Sequence, residues 1–387
     1  STADTQGTEF QVVFPRNVEL KSTNCTLSIT VVNPNNVDVQ ISISYYKTLY
    51  DTSSLQSDTL TVPAGGLITQ SYPQFLAWEY MNGGFQEQFD TRVRVTATGS
   101  VTVYANNYNQ DGFGDSFLVL PHSMAGASYS FTLPIPAANQ NGVTQYAIAY
   151  IIPTTADVNV ELTVGTWNEK RLIPVKPGSS VNYFAVAYTT KLTDPPTFNL
   201  NGDKDFLVIS AVSCLPTSNG KCDYAVFMPS PLLLTGVCDS NKVDWHPTDL
   251  ITSRKLSVTP NVPSNVCAST VKIYDDSNTV TDQITNASTI YNGEYIYHLI
   301  ILSVTSFSFP TVPIRIGSLA ASGGAFLTGL ASTTQFVTGT THFMTRTEKA
   351  TVYIVIASGN QDASLTISLD GVRFGQVLKN YAHYYYL

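Results

Sequence analysis

Charge is scarce in this chain. Only 12% of its 387 residues are Asp, Glu, Lys or Arg, and the 20 basic ones form no cluster. Electrostatic capture of nucleic acid or of an anionic membrane relies on such a cluster, so neither is an expected partner. The net charge of -8 is spread thinly, with no acidic tail. Long apolar runs are missing too. The longest, Tyr146 to Ile152, His298 to Val304 and Val352 to Ala357, fall far short of the roughly 20 residues that span a bilayer as a helix, so no membrane insertion is expected. No helical period of useful length occurs. Only five histidines are present, none at a metal-ligand spacing from a cysteine, and there is no C-x-x-C pair and no G-x-S-x-G elbow. Zinc sites and nucleophile-elbow hydrolases therefore lack their usual carriers.

What abounds is Ser, Thr, Asn, Gln and Tyr. Such a surface is polar without charge and suits an extracellular protein. The chain starts at Ser1 without Met, which fits a mature protein whose signal peptide has gone, or a trimmed piece.

One stretch recurs. Val101 to Pro121 (VTVYANNYNQDGFGDSFLVLP) reads as strand, Asn/Asp/Gly turn, strand, with Pro121 closing it. Phe206 to Pro229 has the same order, and Asp115 to Pro121 has the spacing of Asp223 to Pro229. A weaker copy runs from His298 to Leu330, where Ala325 stands near the place of the Asp. Upstream of each copy the order also repeats. Thr26 to Ser44 reads as a hairpin turning at Asn33-Pro34-Asn35-Asn36, and Tyr146 to Val164 matches it, Asp38 aligning with Asp157. Val62 to Gly66 (VPAGG) aligns with Val175 onward (VKPGSS), and Thr351 to Gly371 carries the hairpin pattern a last time.

Short strands with turn signals every 8 to 12 residues indicate an all-β protein of tandem β-sandwich modules. The expected divisions are 1–129, 130–236 and 237–340. A terminal half-module, 341–387, is expected to pair its strands (Val352 to Ala357, Leu365 to Leu369) into another module's sheet, because an isolated two-stranded piece is marginal in water. No Pro/Ser linkers separate the modules, so a rigid rod or compact block is expected.

Five cysteines occur: Cys25, Cys214, Cys222, Cys238 and Cys267. Cys214 and Cys222 flank the turn of the second copy, where a disulfide would staple a tight loop. Cys238 and Cys267 suit a longer bridge. Cys25 is then left for an intermolecular link or remains a thiol; the alternative is five buried, reduced thiols.

GTEF (Gly7 to Phe10), the NPNNVDVQIS segment, VPAGG, VTVYANNY…DSFLVLP, AGASYSFTLP and, most specifically, C-x7-CDYAVFMPSP (Cys214 to Pro231) resemble the IgG Fc-binding protein N-terminal domain family. The resemblance covers nearly the whole chain. It implies an extracellular protein of mucus or matrix, without catalytic residues, and with a cysteine pair at Cys214 and Cys222. Ala325 and the leftover Cys25 depart from the family's pattern.

Several constellations invite a functional reading. Asn109, Asp111 and Asp115 alternate oxygen side chains in a Gly-containing turn, but a calcium loop needs more acidic ligands and a closing Glu, so turn capping is the reading here. His122 sits beside Ser123 with Asp115 near in sequence, without an oxyanion hole to go with them. No spacing singles out a carboxylate pair among Glu79, Glu87 and Asp90. We therefore nominate no catalytic, cofactor-binding or metal-binding residue. Phe75 to Phe85 (FLAWEYMNGGF) is an aromatic insertion that the second module lacks. It is either a loop folded over its own sandwich or a contact surface in which Trp78, Tyr80 and Phe85 anchor a partner. Asn24 and Asn286 head N-glycosylation triplets. The expected function is that of a secreted, non-enzymatic binding or structural protein with an extracellular protein or glycan partner. The alternative is a viral or surface-layer coat protein.

Overall fold

The computed structural model describes residues 5–17, 25–48, 51–77, 84–109, 114–137, 144–164, 167–175, 183–189, 195–217 and 221–232, and beyond these chiefly isolated strands as far as residue 386. Every element among them is a β-strand or a single 3-10 turn, and all strand pairs are antiparallel.

The first repeat holds β1 (Gly7–Val12), β2 (Thr26–Val32), β3 (Val39–Tyr46), β4 (Leu55–Val62), β5 (Leu67–Tyr72), β6 (Gly84–Gln88), β7 (Val93–Tyr108) and β8 (Gly114–Val119). The 16-residue β7 serves two sheets. Its first half pairs with β1 and β3, and its second with β2 and β8. The orders are therefore β4-β3-β7-β1 and β5-β2-β7-β8.

The second repeat holds β9 (Gly126–Thr132), β10 (Tyr146–Pro153), β11 (Val158–Val164), β12 (Trp167–Ile173), β13 (Tyr183–Thr189), β14 (Thr197–Pro216) and β15 (Cys222–Phe227). The 20-residue β14 takes the place of β7 and the order repeats: β12-β11-β14-β9 and β13-β10-β14-β15. The third repeat holds β16 (Asp244–Thr248), β17 (Arg254–Thr259), β18 (Thr270–Tyr274), β19 (Val280–Ile284), β20 (Tyr291–Tyr295), β21 (Ile300–Thr305), β22 (Val312–Leu319) and β23 (Gly324–Gly329), with orders β19-β18-β21-β16 and β20-β17-β22-β23. Here two strands, β21 and β22, do the work of one.

The hairpin expected over Thr26 to Ser44 is not one. β2 pairs with β5 and β7, and β3 with β4 and β7, so the Asn-rich turn crosses from one sheet to the other. Tyr146 to Val164 does the same. Asn33 makes the crossing: its amide donates to Val37 O, Val62 O and Pro63 O at 2.8, 3.1 and 3.0 Å, while its Oδ1 accepts from Asn35 N at 2.9 Å. A second lock is common to both copies. Asp38 Oδ1 accepts from Ala64 N at 3.0 Å, and Asp157 Oδ1 from Val175 N at 2.8 Å, so the aligned aspartates each hold a backbone N–H of the turn that follows, although not at the aligned position of that turn.

Beyond the third repeat, β24 (Tyr353–Ile356) pairs with β27 (His383–Tyr386), and β25 (Ala363–Leu369) with β26 (Val372–Leu378). These pairs mirror β2–β5 and β3–β4. Expected to join another module's sheet, the strands pair among the described residues only with one another.

The repeats share cores. All eight residues of β10 are buried, although strands in half-exposed sheets alternate. Its Tyr146, Ile148, Tyr150 and Ile152 pack with the core of the first repeat, while Ala147, Ala149 and Ile151 pack with that of the second. Ile314, Ile316, Ala325 and Leu327 of the third repeat enter the second core in turn. Each isoleucine or leucine buried there contributes roughly 1.5–3 kcal/mol, and the alanines less. The matching face of β2 is polar: Asn106 Nδ2 donates to Ser28 Oγ at 3.2 Å, and Thr30 Oγ1 lies 2.9 Å from Thr69 Oγ1. The first repeat thus carries its polar face where the second carries an apolar one.

Candidate functional site

Three strands that close equivalent hairpins, β8, β15 and β23, come together where the repeats meet. The recurring Asp is what ties them. Asp115 Oδ2 accepts from Val226 N of β15 at 3.1 Å, and Asp115 Oδ1 from Ser116 N at 2.8 Å. Asp223 Oδ1 accepts from Gly114 N of the first repeat and from Tyr224 N, at 3.0 and 2.8 Å; its Oδ2 accepts from Ala325 N of the third repeat at 3.0 Å. The carboxylate of one repeat thus receives an N–H from the next, and the series stops at Ala325, which offers its backbone alone. Gly114 must be glycine for contact reasons, since a Cβ there would lie 2.2 Å from Asn107 O.

Burial pushes the Asp115 carboxyl well up from its ordinary value. The N–H groups of Val226 and Ser116 pull against this, and the nearby Asp223 adds to the rise. Burial likewise raises Asp223, against the N–H groups of Ala325, Tyr224 and Gly114. A carboxyl raised in the fold stabilises it most below the unfolded value, and that contribution is lost as pH rises through the folded one.

Next to Asp223 stands a disulfide. β14 carries one residue more than β15 between the pairs Val212–Ala225 and Leu215–Asp223, a bulge that holds Cys214. Cys214 bonds to Cys222, with the Cα atoms 5.1 Å apart, as the sequence led us to expect. Replacing Cys222 with serine is expected to cost about 2.5 kcal/mol, the loop-entropy value for so short a loop. Urea denaturation of oxidised wild type against the variant measures it.

A charged network joins the first two repeats from the other side. Asp90 and Arg92 are both 0% exposed, with Arg92 Nε donating to Asp90 Oδ1 at 2.8 Å. Arg94 Nη2 donates to Asp90 Oδ2 at 2.5 Å. Arg92 Nη1 donates to Gln11 Oε1 at 3.2 Å, and Nη2 to Val175 O of the second repeat at 3.4 Å. With its oxygen so occupied, Gln11 points its amide nitrogen at Pro153 O (3.0 Å) and at His122 Nε2 (3.1 Å). His122 Nε2 is therefore an acceptor and its proton sits on Nδ1. Nδ1 lies 3.2 Å from Glu9 Oε2, within ion-pair reach but off the direction of a hydrogen bond. Burial pushes the imidazole's pKa down; Glu9 works against this, and Arg92 and Arg94 with it.

Among the described residues these side chains bind one another and the backbone. The imidazole nitrogen that would activate a nucleophile accepts from Gln11 instead, and Ser123 is exposed in the turn after it. Asp115, the candidate turn ligand, spends both oxygens on backbone N–H groups. Protonating His122 would set its new N–H against the Gln11 amide and add charge near Arg92. Stability is therefore expected to fall as pH drops below about 6.5, because the neutral form is the one the fold holds. The stability advantage of wild type over His122→Gln should shrink between pH 7.5 and 5.5. A gap constant across that range contradicts this account.

Compared with protein-family models, with curated proteins and with solved structures, the chain matches none.

The other sequence candidates are scattered. Trp78, Tyr80, Asn24, Asn286, Cys238 and Cys267 lie outside the described residues, as do Glu79 and Asp111. Phe85 is in β6, whose backbone pairs with β13 through Phe85–Val186 and its neighbours. The insertion thus ends by extending a sheet of the second repeat, rather than lying wholly over its own. Cys25 is 8% exposed just ahead of β2, and a link from it to another chain would need that to change. Among the described residues no helix is long and apolar enough to cross a membrane. Sequence reasoning missed Gln11 and Arg92. The signal was there in Asp90-Thr-Arg92-Val-Arg94-Val: three charges at alternate positions leading into β7, in a chain with little charge.

Proposed function

We propose that the chain is a secreted, non-enzymatic binding and structural protein, a tandem of three β-sandwiches and a further partial one. It presents loops and strand edges to a protein or glycan at a mucus, matrix or cell surface, as the resemblance to the IgG Fc-binding protein N-terminal domain family implies. The observation that carries this reading is how the buried charge is used. Asp115 and Asp223 bind backbone across repeat boundaries, and Arg92, paired with Asp90 inside the first repeat, donates to Val175 O of the second. Enzymes bury such groups around a space for substrate; here they stiffen a scaffold, which lowers the entropic cost of presenting a fixed surface. The Cys214–Cys222 disulfide fits an oxidising compartment.

The test is a glycan array together with capture from the secretions of the native tissue, using the intact chain and, as control, the chain unfolded by reduction and urea. Retention of a saturable partner by the folded chain alone is expected. Ordered particles in electron micrographs, with no partner retained, would replace this reading with that of a coat protein.

A further inference from the structure

Strands that end a sheet are templates for another strand unless something protects them. In the first two repeats nearly all are protected. β1 carries Glu9, β4 carries Asp58, and β12 carries Glu169, Lys170 and Arg171, with Lys170 Nζ 3.1 Å from Glu161 Oε2. β8 and β15 pack against each other, and β9 is largely buried against β17 and β22. β13 is covered by β6, antiparallel from Gly84–Ala187 to Gln88–Tyr183.

β5 is the counterpart of β13, and it has none of these defences. Its sequence, LITQSY, has no charge and no proline, and its register against β2 runs unbroken from Leu67–Val32 to Tyr72–Leu27. On its other side no described strand pairs with it. Leu67, Thr69 and Ser71 are exposed, Leu67 to 49%. On the opposite face Ile68 and Tyr72 border the first core. Tyr72 is 6% exposed, yet its hydroxyl has no hydrogen-bond partner among the described residues.

We propose that the edge of β5 that no described strand covers binds an extended segment of another polypeptide, which adds to this sheet as β6 adds to β13. The proposal rests on the reading of the chain as a binding protein and names the kind of partner. The segment is about five residues long, the length of β6, and runs antiparallel to β5. Alternate residues lie beside Ile68 and Tyr72 and are apolar or aromatic; the ones between lie beside Thr69 and Ser71 and are polar. Main-chain bonds supply affinity and the alternating side chains supply selectivity.

The experiment uses the full chain and a labelled octapeptide of the sequence GGFQEQFD, this protein's own residues 83–90, as a probe of the right pattern. Anisotropy titration is expected to show saturable binding. The exposed-site double variant Leu67→Lys/Thr69→Lys, with an unchanged melting curve, is expected to bind at least tenfold more weakly. No binding to wild type overturns the proposal. Equal binding to the variant also overturns it, because the peptide is then exchanging with β6 at β13. Wild type that dimerises while the variant stays monomeric overturns it as well, since a second copy then takes the edge. The tissue partner separates this from the broader reading: a variant that loses the octapeptide but still retains that partner leaves the protein a binder whose site is elsewhere.

Discussion

Replacing Asp223 with alanine is expected to cost about 3–5 kcal/mol and to split a single unfolding transition into more than one. Three backbone N–H groups lose their acceptor at once: Gly114 of the first repeat, Tyr224 of the second and Ala325 of the third. A buried donor left unsatisfied costs about 1–3 kcal/mol. Part of that total is returned, because the variant no longer buries a carboxyl whose pKa burial has raised. Two of the three donors belong to other repeats, so the loss falls on the contacts between repeats rather than within one. Asp223→Asn keeps one acceptor oxygen and should cost less than half as much. Urea denaturation followed by far-UV dichroism and by tryptophan fluorescence reads both effects. Coincident transitions at the wild-type midpoint for Asp223→Ala would show that the shared cores alone hold the repeats together.

The repeat was legible because its punctuation is chemical. The Asp115 to Pro121 spacing recurs at Asp223 to Pro229, and each copy is one β-hairpin in the structure. The hairpin reading of Thr26 to Ser44 failed for a physical reason. Alternation over β2 and over β3 reports which face each strand buries, not whether the two share a sheet. A strand pair in one sheet and a crossing between facing sheets bury the same face of each strand. The continuous apolar run of β10 did carry information on layering. Both its faces are buried, one against each core, where Ser28 and Thr30 mark β2 as having a polar side. The junction itself was out of reach. The recurring Asp is visible in sequence, but its acceptor role toward the next repeat depends on β8, β15 and β23 meeting in space. Likewise nothing in GFQEQ (Gly84 to Gln88) announces that it will leave its own repeat to cover β13.

Arg92→Met is the second change with a large expected effect. The substitution keeps most of the side chain's volume and removes the guanidinium. Asp90 then stays fully buried with only Arg94 beside it, and that guanidinium is partly exposed. Burial alone would raise the Asp90 carboxyl; Arg92 and Arg94 together outweigh it and hold the pKa below its ordinary value. Removing one partner of a buried pair costs about 3–5 kcal/mol, chiefly for the charge left behind. Two further contacts to the second repeat are weakened: Arg92 Nη2 no longer donates to Val175 O, and Gln11 loses the donor that fixes its amide toward Pro153 O and His122. The double variant Asp90→Asn/Arg92→Met removes the stranded charge and should recover part of the loss. The pH dependence supplies the sign. A depressed carboxyl contributes stability above its unfolded value and loses it as pH falls through the folded one. Wild type should therefore lose stability into the acid range, and Arg92→Met should show a smaller loss there because its Asp90 gains less from being ionised. Melting curves at pH 7 and pH 3 measure both differences. An Arg92→Met protein within about 1 kcal/mol of wild type at pH 7 would mean that water reaches Asp90 once the guanidinium is gone, and that the network fixes the angle between repeats without stabilising them.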